Sequence, residues 1–275
     1  MDLSHVRLIA CDLDGTLLDS RHRPPKDLPR LVRRLSELGV AFVPASGRQY
    51  GSIIAKLSSL QADGLTVIAE NGSVVRRGAE LVVESRLPGE LASEALRRAQ
   101  ALEDVGIVVC AHDRAYVSPG QPAFVDVVRE FYADRQEVHD LADVIPRAVK
   151  IALYHPRDAA ADIYPSVSKL EGRLKVKVSG QHWVDLSPPS VDKGIALREV
   201  QARLAVTPDE TVAIGDYHND LEMLAAATYS FAVASAHPDV LAAARYRTGS
   251  NDEGGAASVI RQVIAARRGL TTGTP

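Results

Sequence analysis

Two short acidic segments of the sequence carry side chains that could do chemistry together. The first is Asp12-Leu13-Asp14-Gly15-Thr16, in which two carboxylates lie two residues apart. In an extended chain, side chains at this spacing point the same way, and the glycine allows a sharp turn after them. Taken alone, the pattern is equally typical of an ordinary turn, because Asp side chains readily hydrogen-bond turn backbone.

The second acidic segment, Gly215-Asp216-Tyr217-His218-Asn219-Asp220, supplies further carboxylates. Asp216 and Asp220 are four residues apart, which places them on one side of a helix start, where acids also act simply as caps worth about 0.3 to 1 kcal/mol. Three or four carboxylates gathered in a partly buried site repel one another, so they either bind protons or surround a cation. Oxygen ligands favour a hard ion, and we expect Mg²⁺, which commonly shares its coordination shell with a substrate phosphate.

The predicted elements around these segments explain how they would meet. Strands and amphipathic helices alternate at both ends of the chain, which is typical of a parallel sheet covered by helices. Ligands of such sheets bind beyond the carboxyl ends of the strands, where both acidic segments and Ser46 would lie. The predicted strands are 6–11, 40–45, 65–69, 211–214 and 231–234, and the predicted helices are 28–38, one through Ile53 and Leu57, 221–227 and 259–266.

The middle of the chain has strands and helices but no further strand that ends in carboxylates. We therefore predict an α/β fold with a Rossmann-like, doubly wound parallel sheet core, 1–84 and 184–275, and an inserted α+β domain, 85–183. A hairpin turn at Arg77-Gly78 and a strand at 81–84 precede the insertion, and 269–275 read as a loose tail. Within the insertion we predict strands 107–110, 149–154, 174–178 and 183–186, and helices 90–102, 122–132 and 159–170.

Composition excludes several classes of function. The 275 residues are 46% hydrophobic, enough for a sizeable core, and carry a formal net charge of -3, so no global positive field would hold a nucleic acid. No apolar run approaches the roughly 18 residues of a membrane helix, and no leader pattern opens the sequence, so we expect a cytoplasmic protein. Cys11 and Cys110 are too few for a disulfide framework and are read as small buried side chains.

Four ordered motifs resemble those of the haloacid dehalogenase-like phosphatases. A further motif after the third strand, together with the insertion between the second and third motifs, is similar to the Cof-like subfamily of sugar-phosphate phosphatases. The inserted domain would then be the family's cap. The motifs are Asp12-Leu13-Asp14-Gly15-Thr16-Leu17, Ser46-Gly47-Arg48, Lys193-Gly194 and Gly215-Asp216-Tyr217-His218-Asn219-Asp220, with Glu70-Asn71-Gly72 as the subfamily signal.

The resemblance implies roles for the acidic residues. Asp12 would be the nucleophile, for which an ionised carboxylate needs no activating base. Asp14 would protonate the leaving oxygen and later deprotonate the attacking water, while its backbone carbonyl binds the metal. Asp12 and Asp216 would give side-chain oxygens to Mg²⁺, and Asp220 would support this shell.

The resemblance also implies a set of phosphate ligands. Ser46 and Lys193 taken alone would be read as an N-cap and a solvated lysine, but their order among the motifs favours the functional reading. Arg48 and His218 remain open between substrate contact and a structural or surface role. The implied phosphate ligands are the Leu13 backbone, Ser46, the Gly47 N–H, Lys193 and Asn219.

The expected activity is that of a Mg²⁺-dependent phosphomonoesterase that forms a phospho-aspartyl intermediate. Its substrate would be a small phosphorylated metabolite, with hexose or pentose phosphates ahead of flavin-pathway phosphates and pyridoxal phosphate. Two alternatives stay open: a sugar phosphomutase, which would depend on a sugar bisphosphate activator, and a non-catalytic metabolite sensor.

His139, His155 and His182 are scattered without ligand spacing, so the sequence predicts no zinc site around them. The sequence does not indicate an oligomeric state.

Overall fold

The computed structural model describes residues 1–60, 64–119, 122–179 and 181–271. They form two β-sheets with helices packed on them. The strands are β1 (Leu8–Asp12), β2 (Ala41–Ala45), β3 (Thr66–Ala69), β4 (Val74–Arg77), β5 (Glu80–Glu84), β6 (Gly106–Cys110), β7 (Ala115–Val117), β8 (Arg135–Glu137), β9 (Lys150–Tyr154), β10 (Lys175–Val178), β11 (Trp183–Ser187), β12 (Thr211–Gly215), β13 (Tyr229–Val233) and β14 (Tyr246–Thr248). The helices are α1 (Leu28–Glu37), α2 (Tyr50–Lys56), α3 (Gly89–Gln100), α4 (Pro122–Phe131), α5 (Ala159–Asp162), α6 (Tyr164–Val167), α7 (Lys193–Leu204), α8 (Leu221–Ala225), α9 (Pro238–Ala243) and α10 (Gly255–Thr271).

The first sheet runs in the order β14-β13-β12-β1-β2-β3-β4-β5. The strands from β14 to β3 are parallel, and β4 is antiparallel to β3. The prediction of an α/β fold with a doubly wound parallel core is therefore confirmed, and β4 and β5 are neighbours on either side of the predicted hairpin turn at Arg77-Gly78. In the register of the sheet, Asp12 is paired with Ala45, and Ala45 with Ile68. The carboxyl ends of β1, β2 and β3 thus lie at one edge.

Helices cover this sheet because each has one apolar face. In α1, Leu28, Leu31 and Leu35 are buried, at the spacing of a helix stripe, and α1 packs against α10. The strands at the centre, β1 and β12, are buried at every position, as expected for parallel strands covered on both faces. The predicted loose tail at 269–275 is helical as far as Thr271, and residues 272–275 lie outside the described part of the chain.

The second sheet runs in the order β10-β11-β9-β6-β7-β8. All of its neighbouring strands are antiparallel except β7 and β8, which are parallel. The predicted helix at 159–170 is wrong as one element, because it breaks into α5, α6 and a short turn, with Pro165 in the first turn of α6. Proline lacks the N–H that would continue the earlier helix.

The chain divides into two compact units: 1–47, 56–80 and 192–275 form the first, and 48–55 and 81–191 form the second. These bounds differ from the predicted core and insertion at 48–55, 81–84 and 184–191. Residues 48–55 belong to the second unit because Gln49 Nε2 donates to the carbonyl of Asp134 at 2.7 Å and Ser52 Oγ donates to that of Phe131 at 2.8 Å. The assignment of the units as catalytic core and cap stays a prediction.

Among the residues that the structure describes, none belongs to a helix with the length and apolar character needed to cross a bilayer. Cys11 and Cys110 are both buried, as the sequence predicts.

Candidate active site

The first acidic segment turns away from the sheet directly after β1. Asp12 ends the strand with only 5% of its surface exposed, and 13–17 form an irregular turn that the hydrogen bond from Leu18 N to the Leu13 carbonyl closes. Gly15 has a φ of +80°, and a Cβ there would lie 2.4 Å from Asp216 Oδ2. Only glycine therefore allows the two acidic segments to approach this closely. The hydroxyl of Thr16 donates to Asp216 Oδ1 at 2.7 Å and fixes this contact.

The second acidic segment is organised by Asp220. Its side chain is fully buried, and Asp220 Oδ2 accepts hydrogen bonds from the backbone N–H of Asp216, at 3.0 Å, and of Tyr217, at 3.2 Å. These are N–H groups at the start of a short helical turn, which an acceptor of this kind satisfies. Asp220 thus sets the backbone of the loop on which Asp216 stands.

Lys193 enters the same cluster from the start of α7. Asp192 caps this helix by accepting a hydrogen bond from Ile195 N at 2.7 Å. At Gly194 a Cβ would lie 2.2 Å from the carbonyl oxygen of Glu222, so the glycine lets α7 lie close to α8. The Lys193 side chain is fully buried, and its Nζ donates to Asp12 Oδ1 at 2.5 Å and to Asp220 Oδ1 at 2.7 Å.

The cluster holds more negative than positive charge. One ammonium, Lys193, lies among the three carboxylates of Asp12, Asp216 and Asp220. Burial, followed by the charge of Asp220, raises the pKa of Asp12 well above its ordinary value, and burial likewise raises the pKa of Asp216. Burial lowers the pKa of Lys193, but the charges of Asp12 and Asp220 raise it by more, so the ammonium stays protonated. A further cation at the carboxylates would relieve their repulsion.

The geometry and donor chemistry of this cluster fit a hard divalent cation. One carboxylate oxygen from each of Asp12, Asp216 and Asp220 lies within 4.8 Å of the others. Oxygen-only donors of this kind suit Mg²⁺. Both oxygens of Asp220 already accept hydrogen bonds, from Lys193 and from the loop backbone, which leaves Asp12 and Asp216 as the better side-chain donors.

Asp14 lies apart from this three-carboxylate cluster. Its backbone is extended, with φ -76° and ψ 122°, and about a third of its side chain is exposed. Asp14 Oδ1 lies 3.1 Å from His22 Nδ1. The Asp14 carboxyl is therefore accessible, while Leu13, Thr16 and Leu17 of the same turn are buried.

The predicted phosphate ligands stand on adjacent strand ends and loops. Ser46 follows β2, and its carbonyl accepts a hydrogen bond from Asn71 N at 3.0 Å. Asn71 Oδ1 in turn accepts a hydrogen bond from Asn219 Nδ2 at 3.0 Å, and a Cβ on Gly47 would lie 3.1 Å from the Asn71 amide. Ser46, Gly47 and Asn219 are thus brought together around Asn71. The Leu13 side chain is buried, and its backbone belongs to the turn after β1.

Asn71 belongs to the Glu70-Asn71-Gly72 motif, but the sequence indicated no role for it among the phosphate ligands. Its backbone has a φ of +55°, which asparagine tolerates better than most residues. The signal was its position directly after β3, the strand next to β2. From the sequence, the Glu70-Asn71-Gly72 motif indicated only membership of the subfamily.

Arg48, His155 and His182 belong to the second unit. The guanidinium of Arg48 lies in the second unit, 5.8 Å from the ring centre of Phe131. His155 and His182 are also in the second unit, where His155 Nδ1 lies 3.1 Å from Asp162 Oδ2 and His182 Nδ1 lies 3.1 Å from the carbonyl of His155.

Comparisons with known proteins agree with the order of the motifs. Residues 9–260 match the sequence model of a family described as haloacid dehalogenase-like hydrolase. The chain is 30% identical over 262 residues to the 5-amino-6-(5-phospho-D-ribitylamino)uracil phosphatase YbjI of Escherichia coli (strain K12), which covers 94% of this chain and 96% of the relative. It is 28% identical to a phosphoglycolate phosphatase of Methanoculleus marisnigri, over 87% of this chain and 88% of that one.

A solved structure shares the fold across nearly the whole chain. The crystal structure of a haloacid dehalogenase-like hydrolase from Bacteroides thetaiotaomicron superposes with a TM-score of 0.84 at 27% identity, covering 94% of this chain and 99% of that chain. The extent of the family match and of both sequence relatives confirms the resemblance seen in the motifs. The chain belongs to the haloacid dehalogenase-like hydrolases, in the Cof-like subfamily, and is a phosphatase.

Proposed function

We propose that the protein is a Mg²⁺-dependent phosphomonoesterase in which Asp12 becomes transiently phosphorylated. The observation that carries the proposal is the position of the Asp12 carboxylate, which lies at the end of β1, against the Lys193 ammonium and beside Asp216. The Asp12 carboxylate, fixed between the Lys193 ammonium and the carboxylate of Asp216, is positioned to attack an electrophilic phosphorus. Its burial excludes competing water from the nucleophile.

Asp12 and Asp216 would hold the metal through side-chain oxygens, with the backbone carbonyl of Asp14 as a third protein ligand. When bound, Mg²⁺ supplies positive charge that stabilises the transferring phosphoryl group. Asp220 and Thr16 would keep Asp216 in place through the hydrogen bonds described above. Because these contacts hold Asp216 in the absence of substrate, the metal site would be formed before substrate binds.

The reaction would have two steps. An oxygen of the Asp12 carboxylate attacks phosphorus, the ester oxygen leaves, and Asp14 gives that oxygen a proton. Water then attacks the phosphorus of the aspartyl phosphate, Asp14 takes a proton from the water, and Asp12 and inorganic phosphate are released. The accessible carboxyl of Asp14 suits both proton transfers, since it lies outside the buried cluster.

The remaining phosphate oxygens would be held by hydrogen-bond donors. Lys193 Nζ, the Ser46 hydroxyl, the Gly47 N–H, the Leu13 backbone and the Asn219 amide are the proposed donors. Asn71 would orient Asn219 by accepting one of its two amide hydrogens, which leaves the other for the substrate. These contacts become stronger as charge develops on the phosphoryl group.

We propose a small phosphorylated metabolite as substrate, with a hexose or pentose phosphate first. The names of relatives that act on phosphorylated small molecules support this class, and their differences show that the family's fold does not fix the substrate. The second unit would select the leaving group, as the cap does in the family. A cytoplasmic location stays a prediction of the sequence.

A panel of phosphorylated metabolites, assayed for phosphate release with Mg²⁺ and with a chelator, tests the proposal. We expect release that needs Mg²⁺, does not need a sugar bisphosphate activator, and is lost in Asp12→Asn. Asp126→Asn, at a position with 75% of the side chain exposed, is the matched control and should keep full activity. Isomerised sugar phosphate instead of free phosphate would indicate the mutase alternative, and binding without turnover would indicate the sensor.

Trapping of the intermediate tests the nucleophile directly. With a substrate labelled on the phosphoryl group and rapid denaturation, label should be recovered on Asp12. Recovery of label on another residue would overturn the proposed role.

A further inference from the structure

A second group of metal-binding side chains lies outside the carboxylate cluster. It consists of His218, in the turn after β12, and of His237 and Asp239, at the start of α9. These two histidines are 19 residues apart in the sequence, which conceals their proximity. All three belong to the first unit. We refer to them as the His218 cluster.

The side chains of the His218 cluster lie close enough together to hold one metal ion. His218 Nε2 lies 2.8 Å from Asp239 Oδ2, and His237 Nδ1 lies 3.5 Å from the same oxygen. One ligand atom from each of the three residues lies within 4.8 Å of the others. Zinc bonds of about 2.0 to 2.1 Å in a tetrahedron place neighbouring ligand atoms about 3.3 Å apart. The observed values lie on either side of this spacing.

The donor set differs in kind from that of the carboxylate cluster. Two imidazole nitrogens and one carboxylate oxygen suit zinc and similar transition metals, whereas Mg²⁺ prefers oxygen alone. Three protein ligands leave a fourth position of the tetrahedron for water. The side chains are 36%, 36% and 66% exposed, so an ion can reach them from solvent.

The backbone orients one of these side chains. His237 Nδ1 accepts a hydrogen bond from the N–H of Asp239 at 3.2 Å, which holds the ring at the start of α9. A metal ion bound through Nδ1 would take the lone pair that this hydrogen bond uses, so it would replace the Asp239 N–H as the partner of that nitrogen. The rings of His218 and His237 are already close, with centres 4.2 Å apart.

The His218 cluster is also connected to the loop of the carboxylate cluster. The N–H of His237 donates to the carbonyl of Asp216 at 2.9 Å, and His218 stands two residues after Asp216. An ion bound at the His218 cluster would therefore join this loop to the first turn of α9.

We propose that His218, His237 and Asp239 form a three-ligand site for a borderline divalent metal ion, represented by Zn²⁺, separate from the carboxylate site. The alternative is an ordinary surface ion pair in which a histidine donates to Asp239. That arrangement has the same contacts but predicts no bound zinc.

The test is a Zn²⁺ titration of the full chain by calorimetry in a large excess of Mg²⁺, which occupies oxygen-only sites. We expect one equivalent of Zn²⁺ to bind to the wild-type chain and at least a tenfold loss of affinity in both His218→Ala and His237→Ala. His139→Ala, at an exposed histidine of the second unit, is the matched control and should bind Zn²⁺ as the wild type does.

Spectroscopy of the wild-type chain tests the metal coordination without the use of a variant that could misfold. Co²⁺ substituted into the wild-type chain should give the intense visible absorption of a four-coordinate ion, and added Zn²⁺ should remove it. Unchanged zinc affinity in the double variant His218→Ala/His237→Ala, or a wild-type Co²⁺ spectrum of six-coordinate form only, would overturn the proposal. Neither readout depends on phosphatase activity, so the outcome is independent of the proposed function.

Discussion

Lys193 Nζ donates to Asp12 Oδ1 across 181 residues of sequence, and both side chains are buried. The same ammonium donates to Asp220, so one cation serves two carboxylates that come from different strand ends. Removing one partner of such a buried group leaves the others without compensation, which costs about 3 to 5 kcal/mol in other proteins. We therefore expect loss of the Lys193–Asp12 ion pair to lower both the stability of the protein and its activity.

Lys193→Met should lower the free energy of unfolding by about 3 to 5 kcal/mol and remove detectable phosphate release. The methionine fills similar space but leaves Asp12 and Asp220 buried without their cation. Chemical denaturation and a phosphate assay measure the two effects. Lys169→Met, at an exposed lysine, is the control and should change neither. A Lys193→Met protein of wild-type stability would contradict the account of the charge balance.

Gly15→Ala tests the close approach of the two acidic segments. Its Cβ would lie 2.4 Å from Asp216 Oδ2, so we expect displacement of Asp216 and a loss of activity of at least tenfold, with a higher Mg²⁺ requirement. Gly39→Ala separates this effect from backbone strain, because Gly39 also has a positive φ, +69°, but no atom within 4 Å of the added Cβ. The control should lose roughly 1 to 2 kcal/mol of stability, because an alanine at a positive φ is strained, and should keep its activity. Equal losses of activity in both variants would refute the steric explanation.

Asp220→Asn tests the support of the metal-binding loop. The amide keeps an oxygen for the N–H of Asp216 and Tyr217 but loses the charge that faces Lys193. Changes to groups that orient metal ligands cost about 10- to 100-fold in metal affinity or activity, and we expect an increase of that size in the Mg²⁺ concentration needed for half-maximal activity. Titration of activity with Mg²⁺ measures it. An unchanged requirement would show that the negative charge of Asp220 does not contribute to the metal site.

The raised pKa of Asp216 makes a prediction for the protein without metal. Burial raises the pKa of Asp216 in the folded chain, whereas in the unfolded chain this pKa is about 4. At pH values between these two pKa values, the folded state binds more protons than the unfolded state. The contribution of Asp216 is therefore greatest at low pH and is lost as the pH rises through that window. In a chelator, the stability of the wild type relative to Asp216→Asn should fall from pH 4 to pH 7. If the stability of the wild type relative to Asp216→Asn rises between pH 4 and pH 7, the prediction is wrong.

The convergence of Asp12, Asp216 and Asp220 was predictable because it follows from topology, whereas Lys193 was expected there only from the resemblance of its motif. Parallel strands present their carboxyl ends at one edge, and the order of motifs along the chain indicates which ends these are. The position of Asp14 was less predictable. The sequence suggested two carboxylates on one side of an extended segment, but the chain leaves the strand after Asp12, and the Asp14 carboxyl lies outside the cluster.

The features that the sequence did not indicate depend on contacts between distant residues. Asn71 acquires its place from Asn219, and His237 and Asp239 acquire theirs from a loop that precedes them. The short strands β7, β8 and β14 were missed because three residues give too little alternation to detect, and β8 is exposed throughout. Strands this short are fixed by their neighbours in the sheet.

The hydrogen bonds of Gln49 and Ser52 have a consequence for protein engineering. The second unit consists of two separate stretches of chain, one of them only eight residues long. An exchange of substrate preference between related enzymes by transplanting the long stretch alone would leave the carbonyls of Phe131 and Asp134 facing side chains of the recipient. A chimera that transfers 48–55 together with 81–191 keeps these bonds within one donor sequence.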